Sequence, residues 1–429
     1  MLRSLRHRAR IGALLSLVAV PCALAAQRTA PGPDLALTDV VGLVRARHPS
    51  LAAASARRQG IVAGALQEAA FPNPTLGWRR ENLGSPLARD AFYTVAQPLD
   101  LTGRRFALRA GARDLDRRGL LDSTTLARDL EAEAARAFWR ASLARAVLAV
   151  SEEHRLDAER LARMEAERAR EGAVAEVAAM RTSVAYDHAR VAEATAHAEW
   201  TRAIAELARA VGVRAESLPP VAGLTATMAH ESSVVHLEPA PSFATALAYA
   251  LDRRTELAAF RAAGDAARHR VSAARLGVLS DVVVEAGTKQ TAGLTTRVVG
   301  VAVPLPLFDR NSAARDRATA DFQLVQAELR ATEHVVRTEV AGALDAYRAL
   351  LAARPDGIDS LVTRANEVAT IAAGAYAAGG GSLLELLDAR RARNEALTAA
   401  LRWVADVQLA RLDLLRALGA SPLDTLELP

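Results

Sequence analysis

Gln97-Pro98-Leu99-Asp100-Leu101-Thr102-Gly103-Arg104-Arg105 returns further along the chain in altered form as Val303-Pro304-Leu305-Pro306-Leu307-Phe308-Asp309-Arg310-Asn311, with Pro304 lying 206 positions after Pro98. Working outward, His48-Pro49-Ser50-Leu51-Ala52-Ala53 matches Arg254-Thr255-Glu256-Leu257-Ala258-Ala259, and Leu257 again lies 206 positions after Leu51. Gly172 matches Gly379 and Gly212 matches Gly419, each pair 207 apart. Punctuating residues that keep register with one residue of slippage mean a tandem duplication, covering about 36 to 213 and 242 to 420.

Within each half the periodicity changes in the same order. A helical stretch (Thr38 to Ala70; Ser242 to Leu276) leads into Pro, Gly and polar punctuation, and then into two short stretches of strand character. Val299, Val301 and Val303 alternate with Val298, Gly300 and Ala302, and Tyr93, Val95 and Gln97 are their first-half equivalents. The strand pairs lie between Pro74 and Pro98 and between Ser280 and Pro304, with turns at Gly84-Ser85-Pro86 and around Thr291-Ala292-Gly293. Each window holds two strands of about 9 to 10 residues, the length that crosses a bilayer when tilted. Trp78, Phe92 and Tyr93 are expected at its interface.

Each half then enters a very long helix. Thr102 to Glu171 spans about 100 Å at about 1.5 Å per residue. Phe322, Leu329, Val336, Ala343 and Leu350 recur every seven residues, the coiled-coil spacing. Gly172 and Gly379 to Gly381 break the helices, and return helices run to Gly212 and Gly419, so each half ends as an antiparallel hairpin. Arg354-Pro355-Asp356-Gly357 interrupts the second long helix, because Pro kinks or breaks it.

Composition agrees: 51% hydrophobic but only 4% aromatic residues favours long, closely packed helices. The net charge of +5 does not indicate nucleic acid, since basic residues interleave with acidic ones, as in Glu152-Glu153-His154-Arg155 and Glu165 to Glu171. Such runs read as solvated helix faces. Arg3, Arg6, Arg8 and Arg10 before the apolar run Ile11 to Val20, and Ala23-Leu24-Ala25 after it, read as a secretory signal peptide. Export without a transmembrane helix is the expectation. The single cysteine, Cys22, is a lipidation candidate, against which Ala19-Val20-Pro21 is a poor lipobox. The pattern holds no nucleophile triad, zinc-ligand spacing or phosphate loop, so no enzyme, cofactor or resident metal is expected. Two strand pairs would leave exposed edges in a soluble protein, whereas an exported one closes them into a barrel. Four strands are fewer than the roughly eight of the smallest membrane barrels, so several chains must contribute.

Across nearly the whole chain the sequence resembles the TolC family of outer-membrane efflux proteins. The resemblance rests on Asn73-Pro74, on the two Pro-containing strings above, and on Tyr376-Ala377-Ala378-Gly379-Gly380-Gly381-Ser382-Leu383-Leu384-Glu385-Leu386-Leu387-Asp388-Ala389. The first-half strings look most like the CzcC-like heavy-metal branch. The resemblance implies a mainly α fold with a small transmembrane β part. Long helical hairpins would form an α-barrel, and four strands per chain would join a 12-stranded barrel in a homotrimer. It also implies a bacterial outer-membrane location extending into the periplasm, contact with outer-membrane lipid, a periplasmic adaptor, and an inner-membrane resistance-nodulation-division (RND-type) transporter. On this plan the chain divides into a signal peptide (1-25), a first efflux-protein repeat (26-213, strands about 74-98, hairpin about 102-211), an inter-repeat equatorial segment (214-241), a second repeat (242-420, strands about 281-304, hairpin about 311-418) and a C-terminal tail (421-429). A periplasmic coiled-coil adaptor, a drug duct and a type I protein secretion duct are the alternatives.

The resemblance also assigns roles. Glu385 and Asp388 lie three apart on a return helix, where the family's equivalent acidic positions line the periplasmic constriction. Threefold repetition would stack two carboxylate rings and favour cations; an ordinary solvated face is the bland reading. Tyr376 matches the tyrosine of an ionic latch found in some members, but Gly381 stands at the latch arginine and Ala178 near its aspartate, so closure is expected to rely on helix packing. The tips, Gly172 to Ala175 and Gly379-Gly380-Gly381-Ser382, are candidate adaptor-docking sites, although glycine there would equally serve the turn.

Overall fold

A computed structural model of the chain describes residues 34–84, 86–224, 238–278, 281–352 and 358–427. The signal-peptide reading, Cys22, Ser85 of the first strand turn, much of the inter-repeat segment and Arg354 to Gly357 lie outside the described residues.

The first half runs α1 (Leu37–Arg47), α2 (Pro49–Glu68), β1 (Thr75–Glu81), β2 (Asp90–Leu99), α3 (Arg104–Arg170) and α4 (Glu176–Val211). The second runs α5 (Phe243–Arg253), α6 (Thr255–Leu276), β3 (Val282–Thr291), β4 (Leu294–Ala302), α7 (Ser312–Ala352), α8 (Ile358–Ala377) and α9 (Leu383–Leu418). The two halves thus share one element order, with α7 and α8 standing where the first half has the single helix α3. Their matched anchors turn out to be one contact made twice. Gly212 ends α4 at φ 80° and Gly419 ends α9 at φ 73°, the left-handed conformation that closes a helix C-terminus. A Cβ on Gly212 would lie 3.0 Å from the His48 ring, and one on Gly419 would lie 3.0 Å from Arg254 Cγ. Each return helix therefore closes on the corner between the first two helices of its own half.

The string after β2 builds a junction. Asp100 accepts from the Thr102 backbone N–H at 3.0 Å and its hydroxyl at 2.8 Å, and from the Arg105 N–H at 2.8 Å. Gly103 takes φ 76°, and α3 begins. Arg105 then reaches Asp281 at 2.5 Å, tying the first repeat to the start of β3.

The four strands form one antiparallel sheet in the order β1-β2-β3-β4, leaving β1 and β4 as its edges. Alternation places Leu76, Trp78, Tyr93, Val95, Ala286, Val299 and Val301 on one face, with Trp78 opposite Tyr93 and Ala286 opposite Val299. This face is exposed, with Leu76 83% and Val299 77% accessible, and towards the turns it also carries Arg80, Thr288 and Arg297. The opposite face carries Arg79, Glu81, Asp90, Glu285 and Lys289. Phe92 belongs there, 4.5 Å beneath the Arg79 guanidinium, and not on the face of Tyr93, because neighbours along a strand point to opposite sides.

Below the sheet the helices also form open layers. Near the strands α2 packs on α3, α3 on α6 and α6 on α7; towards the tips α4 packs on α3, α3 on α9 and α9 on α8. Between these levels lie two equivalent cores. Val40 and Val44 of α1 pack with Phe138 and Leu207, while Ala246 and Ala250 of α5 pack with Leu344 and Leu414. The heptad seam of α7 faces this second core, with Val336 buried and Leu329, Ala343 and Leu350 against it.

Candidate functional site

Both hairpin tips are built by capping. At the first, α3 ends at Arg170, Gly172 turns at φ 75°, and Ala175 precedes α4. At the second, the Ser382 hydroxyl accepts from the Glu385 N–H at 3.2 Å, and the Glu385 carboxylate accepts from the Ser382 N–H at 2.9 Å. This reciprocal capping box starts α9. Backbone and hydroxyl hydrogen bonds from Ser382 hold the Glu385 carboxyl below its ordinary range. Gly379 turns at φ 78° beside Gly380, and a Cβ on Gly381 would press to 3.1 Å from the Tyr376 backbone nitrogen, so a side chain there would have to shift the backbone of the turn.

The two acidic residues expected to act together have different surroundings. Glu385 is folded back onto its own cap. Asp388, one turn on and exposed, lines a cavity of about 440 Å³ between α3, α4 and α9, with His154, Thr182 and His188.

Tyr376 has a partner the sequence did not indicate. Arg168 donates to its hydroxyl at 3.2 Å, lies 5.7 Å from its ring centroid, and pairs with Glu165 at 3.0 Å. Burial, and next the Glu165 carboxylate, push the Tyr376 phenol above its ordinary range. Glu165 is fully buried, and its Oε2 has no hydrogen-bond partner among the described residues. The expectation that Glu165 to Glu171 forms a solvated face therefore fails at Glu165: α3 turns this position inward, under Arg168. The other charged run fails in the same way, because His154 is half-buried against α9. The signal that would have found both is their phase on the inward stripe of α3, shared with Ala158 and Leu161.

Among the described residues no group of three or more His, Cys, Asp or Glu is placed to hold a metal ion, and no helix is long and apolar enough to cross a membrane. A four-stranded sheet with one exposed, mainly apolar face, carried on long helical hairpins, is a fold found among solved outer-membrane channels. Its fold matches a membrane protein from Pseudomonas aeruginosa (20% identity, TM-score 0.74, covering 92% of each chain). It also matches CusC, described in terms of transmembrane channel formation (18%, 0.71, covering 91% of this chain and 93% of that one). A third match is the outer membrane protein VceC from Vibrio cholerae (18%, 0.70, covering 90% and 96%). No match to a curated protein sequence was found. Residues 246–420 match the model of the outer membrane efflux protein family.

Proposed function

We propose that three copies of this chain form the outer-membrane duct of a tripartite efflux system, passing substrate from an inner-membrane RND-type transporter and a periplasmic adaptor across the outer membrane. The observation that carries this reading is the open sheet. Four strands with two unpaired edges and an exposed, mainly apolar face are incomplete alone, and lipid-exposed edges are not tolerated in a bilayer. On this reading the apolar face meets lipid, the Arg79, Glu285 and Lys289 face lines the lumen, and residues 26-213 and 242-420 are equivalent repeats around it.

Glu385, Asp388 and Tyr376 are assigned to the periplasmic constriction, and Gly172, Ala175, Gly379, Gly380, Gly381 and Ser382 to the adaptor-docking tips. The exported cargo is assigned to heavy-metal cations, on the likeness of the first-half strings to the metal-exporting branch and on the acidic pair. Planar-bilayer recordings of the purified oligomer test the duct. Glu385→Gln with Asp388→Asn should raise conductance and weaken cation selectivity, and these replacements leave the capping hydrogen bond of Glu385 possible where Ala would not. Unchanged conductance and selectivity would remove the two carboxylates from the constriction. Deletion of the gene followed by sensitivity profiling tests the cargo: sensitisation to drugs but not to metal salts would reject the cation assignment.

A further inference from the structure

The edge strand β4 carries one charge near its turn and runs out of sheet before the chain meets charge again. Arg297 is followed by eleven consecutive residues without a polar side chain, Val298-Val299-Gly300-Val301-Ala302-Val303-Pro304-Leu305-Pro306-Leu307-Phe308, and then by Asp309-Arg310. The paired strand ends at Ala302, opposite Val283. The paired part of the run, Val298 to Ala302, extends about 16 Å at ~3.3 Å per residue, or about 13 Å in height at the ~40° tilt of a barrel strand. A bilayer presents an apolar band about 25 Å tall to such a barrel, so β4 covers about half of it. The whole run reaches up to about 36 Å, or about 28 Å in height, enough to cover the band. In β2, by contrast, nine residues separate Asp90 from Asp100, and all of them pair with β3. They extend about 30 Å, or about 23 Å in height, so β2 spans the band within the sheet. Tilt sets residues of one row at different heights, so the two strands leave the band at different rows.

We propose that Val303 to Phe308 is a lipid-contact surface, lying in the periplasmic leaflet of the outer membrane with acyl chains as its partner, and that it completes the apolar band which β4 leaves half-built. This placement rests on the reading of the sheet as part of a membrane barrel. Three properties fit the segment to hydrocarbon. Its side chains are apolar and uncovered: Val303, Leu305 and Leu307 are exposed, and Phe308 is completely so. Val303 and Leu305 also continue the parity of Val299 and Val301, the face assigned to lipid.

Its backbone, secondly, brings few donors into a medium that cannot satisfy them. Pro304 and Pro306 have no N–H, and the Leu307 N–H donates to the Leu305 carbonyl at 2.8 Å. Of residues 304–307 only Leu305 therefore brings an amide donor without a backbone bond among the described residues. The third property is the way the run ends. Phe308 is followed by the exposed Arg310, an aromatic ring and then a guanidinium, as at a membrane interface. The first repeat leaves the sheet in the same order. Past the exposed Leu101, the rings of Phe71 and Phe106 meet edge to face at 6.5 Å, and the Arg105 and Arg109 guanidiniums lie 5.7 and 5.2 Å from the Phe71 centroid. A neighbouring copy is the competing occupant of the segment.

The test uses the full-length oligomer with Cys22 replaced and with Val299→Cys, Leu305→Cys, Phe308→Cys or Leu384→Cys introduced singly and labelled with an environment-sensitive fluorophore. Each is placed in phosphatidylcholine vesicles with or without a nitroxide on the lipid acyl chain. Val299→Cys reports the sheet, and Leu384→Cys, at the exposed hairpin tip, reports water. Quenching at Leu305→Cys and Phe308→Cys should reach at least about half of that at Val299→Cys, with none at Leu384→Cys. Quenching at Val299→Cys with none at Leu305→Cys and Phe308→Cys overturns the lipid contact, gives the segment to a neighbouring copy and leaves the barrel reading in place. An unquenched Val299→Cys overturns the barrel reading and the lipid contact with it. The unsubstituted protein supplies a second measurement free of any label. A phosphatidylcholine with a photoactivatable diazirine on its acyl chain should attach within residues 303–308 on irradiation, and attachment confined to the four strands overturns the proposal.

Discussion

Glu165, Arg168 and Tyr376 tie the end of α3 to the end of α8, and Gly381 and Ala178 stand where the family resemblance leads one to expect a latch arginine and aspartate. A carboxylate with no exposure and one oxygen unpartnered among the described residues is a costly arrangement, compensated by the adjacent guanidinium. Tyr376→Phe removes the Arg168 bond and keeps the ring. It should weaken this contact by about 1 kcal/mol, a roughly fivefold shift in an open-to-closed ratio, measurable as open probability in bilayers. No change there would mean that the tie does not resist opening. Of these three residues only Tyr376 was legible in the sequence, through a family string. Glu165 and Arg168 sit in a run of alternating charge, and such a run looks the same whether one of its members faces water or a neighbouring helix. The phase of Glu165 with Ala158 and Leu161 points it inward, but the Tyr376 of α8 that it meets there is more than 200 positions away, and local spacing carries no trace of that partner.

At the scale of elements, the strands and corners were the readable parts. Pro and Gly punctuation marked the ends of β2 and β4 and the closing turns of α4 and α9, because each of these places demands a backbone conformation that few residues accept. Gly419 illustrates the demand. An alanine there would have to hold φ 73° and crowd Arg254, whose guanidinium pairs with Glu256 at 2.8 Å and also with Glu339. Gly419→Ala should therefore cost about 1–2 kcal/mol and lower the thermal midpoint, while Gly342→Ala, at a helical glycine with open space, should not. The strand faces were only partly legible. Alternation placed Tyr93, Val95, Val299 and Val301 together, but Phe92 was grouped with them by residue type when its parity assigns it to the charged face. That parity has a consequence in a bilayer. Val299→Arg on the apolar face should cost about 2–4 kcal/mol near the midplane and reduce the amount of oligomer recovered from outer membranes. Thr296→Arg, on the opposite face of the same strand, should be tolerated.

The whole molecule repeats one geometry at three levels. The sheet ends in β1 and β4, the upper helical layer in α2 and α7, and the lower layer in α4 and α8, so each level leaves one edge from either half of the chain. These edges carry apolar residues with no cover in a single copy. On α4 they are Val177, Met180, Val184 and Val191, and on α8 Leu361, Val368 and Ile371; none of the twenty residues of α2 is fully buried. The spacings of three, four and seven are those of a coiled-coil seam awaiting a second helix. Two different edges, one at each side of an open layer, join head to tail and close into a ring, whereas a twofold dimer would pair like with like. Val184 and Ile371 lie about two turns above their respective tips, hence at the same height. With Cys22 replaced, Val184→Cys combined with Ile371→Cys should crosslink between copies under mild oxidation and run as a covalent trimer on a denaturing gel, and either substitution alone should not. Pairs that join α4 to α4 and stop at a dimer would contradict the head-to-tail ring. Val184→Glu, which puts a charge into the same seam, should shift the purified protein from trimer towards monomer, and a trimer that persists unchanged would place the subunit contact elsewhere on the hairpins.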